Sequence, residues 1–422
     1  MTFLFFRLLS TGALSSEFIS RLGDSMKNIS VVFILALVFG FATVSYGAGF
    51  SVQTSGAAAL GQGNSVIAHG ADPTSIYFNP ALITNLTGTQ FEVGTTLIAP
   101  SNKFISEATG QEIKAKHEAV FPTTLFVTHK FDDKFSAGVG LFQNFGLALD
   151  WGNTWEGRYL ATKSELKTYT GNVVGAYKVA PWLSVAAGVD VVFLDAELNK
   201  MLNLSAMGVP DIEQKLKGTD TALGYNLGLV ADINNDLAAG LTYRSRIKST
   251  LDGDITHGIP PGMPALVSAL LPNTPAKASI NLPATASVGI AYKGLKPLTL
   301  EIGARWEGWS SFKDITITPD QPIAGMSMIV MPKNWKDSYS INAGLHYQLT
   351  DSIGLMAGII HDKSAVPDST LEPRVPDGGS NAYCLGIDFK NKNLSLSAAY
   401  NYQKIRSRTK NNAFDDNLLD GV

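Results

Sequence analysis

From about residue 90 to about residue 410 the chain repeats one pattern, segments of roughly ten residues in which apolar and polar side chains alternate. From Ser338 to Leu349, Tyr339, Ile341, Ala343, Leu345, Tyr347 and Leu349 interleave with Ser338, Ser340, Asn342, Gly344, His346 and Gln348. Successive residues of a strand point to opposite sides, so a period of two means a strand with one apolar and one polar face. Leu237, Ala239, Leu241 and Tyr243 repeat the pattern against Thr242, Arg244, Arg246 and Lys248. Leu394, Leu396, Ala398, Tyr400 and Tyr402 repeat it against Ser395, Ser397 and Asn401. The segment starting at Leu183 is more apolar but keeps Ser184 and Asp190 on its polar side. Strands of soluble proteins average about five or six residues. These are longer, about the ~9–11 residues that a tilted strand needs to cross a bilayer.

Beyond the N-terminal region no apolar run reaches the ~20 residues of a spanning helix. The connections alternate between tight polar turns (Phe131 to Lys134, Ile233 to Asp236, Lys390 to Asn393) and long loops (around Leu251 to Ala278 and Pro367 to Gly379). Short turns on one side and long loops on the other are the asymmetry of an outer-membrane barrel. We expect an all-β, transmembrane antiparallel β-barrel over residues 90–410. About thirteen strands are expected, beginning near Gln90, Val120, Phe135, Leu166, Trp182, Ala222, Leu237, Ser279, Leu298, Tyr339, Ser352, Asn381 and Leu394. Single-chain bacterial barrels use even numbers, so a closing fourteenth strand is expected to be missing, with residues 411–422 a truncated tail.

Lys27 followed by the apolar run Ile29 to Val44 and by Ser45-Tyr46-Gly47 has the layout of a secretory signal over residues 26–47, cleaved before Ala48. Residues 1–25 do not resemble a signal, and Met26 reads as the initiator. They are therefore expected to be an upstream extension outside the fold.

A formal net charge of −3 without a basic cluster argues against nucleic acid. A lone cysteine, Cys384, excludes an intramolecular disulfide and cannot build a thiolate metal site. The six histidines are scattered and no nucleophile motif accompanies them, so no catalytic residue, metal or cofactor is expected.

Residues 48–89 differ from the rest. They are rich in Gly, Ala, Ser and Asn but carry Phe50, Leu60, Val66, Ile76, Tyr77, Phe78, Leu82 and Ile83, too many apolar groups for a solvated tail. A compact hatch plugging the lumen accounts for them, since a barrel of about fourteen strands needs a plug or leaves a channel.

Several short motifs in order give the chain a resemblance to the FadL family of outer-membrane transporters for long-chain fatty acids and aromatic hydrocarbons. They are Ala48-Gly49-Phe50, Asn79-Pro80-Ala81-Leu82-Ile83, Asn144-Phe145-Gly146-Leu147, Leu241-Thr242-Tyr243-Arg244-Ser245, Asn281-Leu282-Pro283, Trp309-Ser310-Ser311-Phe312, Lys336-Asp337-Ser338-Tyr339 and Asp362 to Pro367. The resemblance implies fourteen strands and hatch-gated lateral diffusion of a hydrophobic molecule. Asn79, Pro80 and Ala81 would form the anchoring turn of the hatch, and Gly146 the strand kink that opens the wall. Phe50, Lys200 and Lys333 would form the ligand site, the two lysines holding a carboxylate. An uncharged aromatic hydrocarbon is the alternative substrate, and a general diffusion porin a more remote one. The implied partners are a long-chain fatty acid or similar hydrophobe, outer-membrane lipid and lipopolysaccharide, and the barrel-assembly machinery, with the chain a monomer.

Overall fold

A computed structural model describes residues 2–9, 49–70 and 72–410. The expected signal segment and the tail 411–422 lie outside the described residues. All thirteen expected strands are present, and antiparallel pairing runs from each to the next, from Thr89–Thr96 round to Leu394–Ile405. No described helix is long and apolar enough to cross a membrane.

The two outer strands of that series do not pair with each other. Thr2–Leu9 lies between them, antiparallel to both, with Phe5 opposite Gly94 on one side and Ser397 on the other. With it the ring of pairings closes at fourteen strands. Residues 2–9 thus stand in the closing position that was expected to be empty. The physical reason is the cost of two open edges, whose N–H and C=O groups would face hydrocarbon without partners.

The ring is polar inside and apolar outside. Along Ser338–Gln348, Tyr339 and Ile341 are exposed whereas Ser338 and Ser340 are buried. Val173, Leu223 and Ile302 are more than 60% exposed on the outer face. Exposed Tyr169, Tyr177, Trp182, Tyr225, Tyr292 and Tyr383 accompany them, the aromatics expected near membrane interfaces. The tight turns share one device. Oδ1 of Asp132 accepts from the amides of Lys134 and Phe135, Oδ1 of Asn234 from Asp236 and Leu237, and Oδ1 of Asn391 from Asn393 and Leu394. Such side chains mimic a backbone turn and fix the register of the strands they join.

At the opposite end the strands outlast the membrane. Lys163–Ala180, Leu183–Leu202 and Ile212–Asp232 run 18, 20 and 21 residues, about twice a tilted span. The expected long loop Leu251 to Ala278 is largely a paired hairpin, Ile247–His257 with Thr274–Leu282, capped by the helix Ala265–Leu270. The row Arg244, Arg246, Lys248 does not share a face. Arg244 turns inward to Asp190, while Ser245 bonds both amide and side-chain oxygen to Tyr225 and shifts Arg246 and Lys248 outward.

Residues 49–88 pack against the inward face. Ile76, Tyr77, Phe78, Leu82 and Ile83 form a core with the wall residues Phe126, Phe142, Val174, Ala186 and Val230. The wall makes room with glycines. A Cβ on Gly344 would stand 2.0 Å from the Gln62 carbonyl oxygen, one on Gly358 2.2 Å from the Gly63 nitrogen, and one on Gly240 2.1 Å from the Ile67 carbonyl oxygen.

Candidate ligand-binding site

Above the packed segment lies a cleft. Its walls are Leu166, Ala196, Leu198, Leu216, Leu251, Ala276, Ala278, Ile280 and Ile315, inward residues of six strands brought together by the sheet. Its floor is aromatic. The Phe50 ring centroid lies 4.7 Å from Trp309, 5.6 Å from Trp335 and 5.8 Å from Phe312, mostly edge to face. Such pairs add about 0.5–1.5 kcal/mol each beyond the area they bury. Phe50 lines the cleft.

Five charged residues border the cleft: Lys333, Glu372 and Arg374 are buried, Glu165 is half-buried and paired with Lys163 and Lys167, and Lys217 is exposed. Lys333 Nζ donates to Glu372 Oε1. Arg374 donates only to neutral oxygens, at 2.6 Å to the Leu160 carbonyl, 3.2 Å to Ser164 Oγ and 3.4 Å to the Asn199 carbonyl. Its Nε meets no partner. Burial pushes the Lys333 ammonium and the Arg374 guanidinium below their ordinary pKa values, and the Glu372 carboxylate opposes this for both. Among the buried three, two cations and one carboxylate leave one positive charge, in surroundings where charge is poorly screened.

Of the two lysines expected there, only Lys333 lines the cleft. Lys200 is opposite Gln214, one alternation step beyond Leu198 and outside the lining. The second cation is Arg374, which sequence reasoning missed. Its one local signal is its place in Pro373-Arg374-Val375-Pro376, a stiff stretch of a loop marked as long.

The wall is interrupted beside the cleft. Phe142 pairs with Thr170 but Gly146 pairs with Lys167, so one strand advances four residues while its neighbour advances three. The extra residue is a bulge, which bends the strand and ends normal pairing. Thr168 Oγ1 covers the gap by accepting from the Phe145 amide and donating to the Phe145 carbonyl. On the open side the N-terminal segment supplies the missing edge. Gly146 N donates to the Phe50 carbonyl at 2.9 Å, and Val52 N donates to the Asn144 carbonyl at 2.8 Å. Gly146 itself has little spare room, since a Cβ there would be 3.2 Å from Val52 Cγ2.

Asn79, Pro80 and Ala81 are fully or almost fully buried. Asn79 Oδ1 accepts from the Ala81 amide, capping the short helix Pro80–Asn85 that Pro80 opens. Asn79 Nδ2 donates to the carbonyls of Ile67 at 2.7 Å and Leu229 at 2.9 Å, tying the turn to the strand Ile212–Asp232. Among the described residues no group of three or more His, Cys, Asp or Glu is placed to hold a metal ion.

Comparison with known proteins follows this geometry. Residues 38–420 match the family described as outer membrane protein transport protein (OMPP1/FadL/TodX). The chain is 26% identical over 404 residues to a long-chain fatty acid transport protein of Escherichia coli O6:H1, covering 86% of this chain and 89% of that one. It is 23% identical over 399 residues to outer membrane protein P1 of Haemophilus influenzae, covering 84% of each. Its fold is similar to that of a Pseudomonas aeruginosa FadL homologue, with a TM-score of 0.74, 23% identity and coverage of 89% and 95%. It is also similar to the Pseudomonas putida toluene transporter TodX, with a TM-score of 0.66, 16% identity and coverage of 84% and 99%.

Proposed function

Given that the chain belongs to the OMPP1/FadL/TodX family of outer-membrane transport proteins, we propose that it carries long-chain monocarboxylates, fatty acids above all, by hatch-gated lateral diffusion. The observation that carries this reading is the surplus positive charge of the buried trio Lys333, Glu372 and Arg374 in a mostly apolar cleft. One carboxylate would neutralise it, while the aliphatic walls take the chain and Phe50 closes the floor. Residues 49–88 act as the hatch, anchored at Asn79, Pro80 and Ala81. The ligand leaves sideways through the bulge before Gly146 once the strip Phe50 to Val52 moves away.

A second reading, an uncharged aromatic hydrocarbon, is favoured by the ring cluster of Phe50, Phe145, Trp309, Phe312 and Trp335. Such a ligand would leave the charge on Arg374 unbalanced, which ranks it second. A general diffusion porin fits a lumen filled by residues 49–88 poorly. The role is transport rather than catalysis, without a cofactor or nucleic acid. The outer apolar belt contacts outer-membrane lipid and lipopolysaccharide, and the barrel-assembly machinery inserts the chain as a monomer.

The test is binding and uptake of labelled oleate against labelled toluene. Arg374→Ala and Lys333→Ala should each weaken oleate by about 10–100-fold and toluene by much less, since a charge-assisted hydrogen bond is worth about 1.5–3 kcal/mol. Lys200→Ala should change neither more than about twofold. Equal loss of both ligands in the first two variants would discard the carboxylate reading.

A further inference from the structure

One sector of the outer wall ends in cations that the strand register brings together. Ile353–Asp362, Ser380–Lys390 and Leu394–Ile405 run side by side. Ile359, Tyr383 and Tyr402 share one pairing row, and all three are exposed. His361, Asn381 and Lys404 share the next outward-facing row toward the long loops. Past the strand ends, Lys363 N donates to the Tyr339 carbonyl at 2.9 Å and Arg406 N to the Gly379 carbonyl at 3.1 Å. Pairing thus continues for one more step, and alternation turns Lys363 and Arg406 to the same side as His361 and Lys404. All four side chains are exposed. Neighbouring strands lie about 4.8 Å apart, so the two edges of this patch are about 10 Å from each other. Two of its members are held in place. Nδ1 of His361 lies 2.7 Å from Oδ1 of Asn381, and a Cβ on Gly379 would stand 2.7 Å from Nη2 of Arg406.

No carboxylate balances the patch. Leu394–Ile405 contains no Asp or Glu. The acidic residues of the other two strands are turned inward, Asp362 accepting from Ser380 Oγ at 2.8 Å and Asp388 lying 2.7 Å from His346 Nε2. Asp368 in the loop above is taken by Arg408. Among the described residues Lys363, Lys404 and Arg406 form no ion pair. Arg246 and Lys248 also face outward, but they share their side with the exposed Asp252 and Asp254. We propose that the sector Lys363, His361, Lys404 and Arg406 binds the phosphorylated headgroup of a glycolipid, lipid A of lipopolysaccharide. Exposed tyrosines mark the membrane interface and the long loops the outer side, so cations one step past Tyr383 and Tyr402 stand at headgroup depth in the outer leaflet. Lys363 on one edge and Lys404 with Arg406 on the other can each take one phosphate, while the acyl chains lie over Ile359, Tyr383 and Tyr402. A zwitterionic phospholipid carries its own cation and gains little from a patch without carboxylates. The inference gives a place to the lipid contact proposed above and is independent of what the cleft carries.

The experiment uses the full chain, refolded in detergent without bacterial lipid and titrated with diphosphoryl lipid A, with adducts counted by native mass spectrometry. Unheated electrophoretic mobility checks that each barrel is folded. The reference protein should take up lipid A, and Lys363→Ala, Lys404→Ala and Arg406→Ala combined should weaken it by at least about tenfold. The charge-conserving set Lys363→Arg, Lys404→Arg and Arg406→Lys should stay within about threefold of the reference. Arg246→Ala with Lys248→Ala should bind as the reference does. Lipid A stripped of both phosphates should bind the reference as weakly as the intact lipid binds the triple alanine variant. Lys404→Glu alone, on an exposed face, should also weaken binding and carries the test if the triple variant fails to fold. A triple variant with the reference affinity would overturn the site, as would equal binding of the dephosphorylated lipid. Displacement of the lipid by inorganic phosphate at matched ionic strength would make it a site for free anions and overturn it too. Loss of lipid A from the Arg246→Ala, Lys248→Ala protein instead would move the contact to that face. Each of these outcomes leaves oleate binding in the cleft untouched, and failure of oleate to bind would leave this site standing.

Discussion

The fully buried carboxylate of Glu301 lies 2.6 Å from Nδ1 of His69 and so joins the barrel wall to the segment that fills it. Glu301 belongs to the strand Leu298–Glu307 and accepts two more hydrogen bonds from the segment, from the amides of Ile67 at 2.6 Å and Ala68 at 2.9 Å. Three donors from consecutive residues meet one carboxylate. Glu301→Ala should loosen this attachment while the ring, held by its own strand pairing, persists. Losing hydrogen bonds to a charged group costs about 1.5–3 kcal/mol each. Hydrogen exchange of the amides of residues 66–69 should therefore accelerate at least about tenfold, with the amides of Leu298–Glu307 protected as before.

The glycines facing residues 61–67 predict a steric test. Gly358→Ala would place its Cβ 2.2 Å from the Gly63 nitrogen, where the neighbour is backbone and cannot turn aside. The segment should be pushed off the wall, and planar-bilayer conductance should rise from near silence to steady openings. Gly175→Ala is the control. Its Cβ would meet only Phe135, at an ordinary 3.6 Å, and conductance should be unchanged.

Asn79 acts as both a cap and a tie, and substitution separates the two roles. Asn79→Asp keeps the oxygen that caps Ala81 but loses the two donated bonds to Ile67 and Leu229. If the tie dominates, Asn79→Asp and Asn79→Ala should lower barrel stability alike, by about 1–3 kcal/mol. Urea unfolding followed by electrophoretic mobility measures this. Near-normal behaviour of Asn79→Asp would leave only the cap.

The pH dependence of oleate binding should report Lys333. Burial lowers its pKa, so on the alkaline side it loses its charge below the ordinary lysine value of about 10.4. Affinity for a carboxylate needs the charged form, is full below the lowered pKa, and should fall as pH rises through it. Lys333→Arg keeps a charge across that range and should flatten the alkaline limb. A limb that survives this substitution would point to a different titrating group.

Much of this architecture is legible in the sequence. Most strand starts from Thr89 to Leu394 follow from period-two alternation, although the strand expected near Ala222 begins at Ile212 and the one expected near Ser279 at Thr285, and the turns at Asp132, Asn234 and Asn391 follow from residues whose side chains bond their own backbone. The motifs single out Phe50, which lines the cleft, and Asn79, which caps the short helix Pro80–Asn85. Lys200 shows the limit. Alternation sets its face, but which neighbouring row reaches the cleft depends on where the strands end and the loops fold back.

Strand propensity and facing are local properties of consecutive residues, so the sequence by itself determined a polar-lined, apolar-coated barrel and an apolar segment needing cover. The tertiary structure alone decided what meets inside it. Lys333, Glu372 and Arg374 come together because two loops fold over one lumen. Gly344 and Gly358 matter because residues 62 and 63 press on them, and Thr2–Leu9 has its place because two distant strand edges would otherwise lack partners. None of these pairings has a local period to betray it, because ring closure and burial are satisfied by groups far apart along the chain.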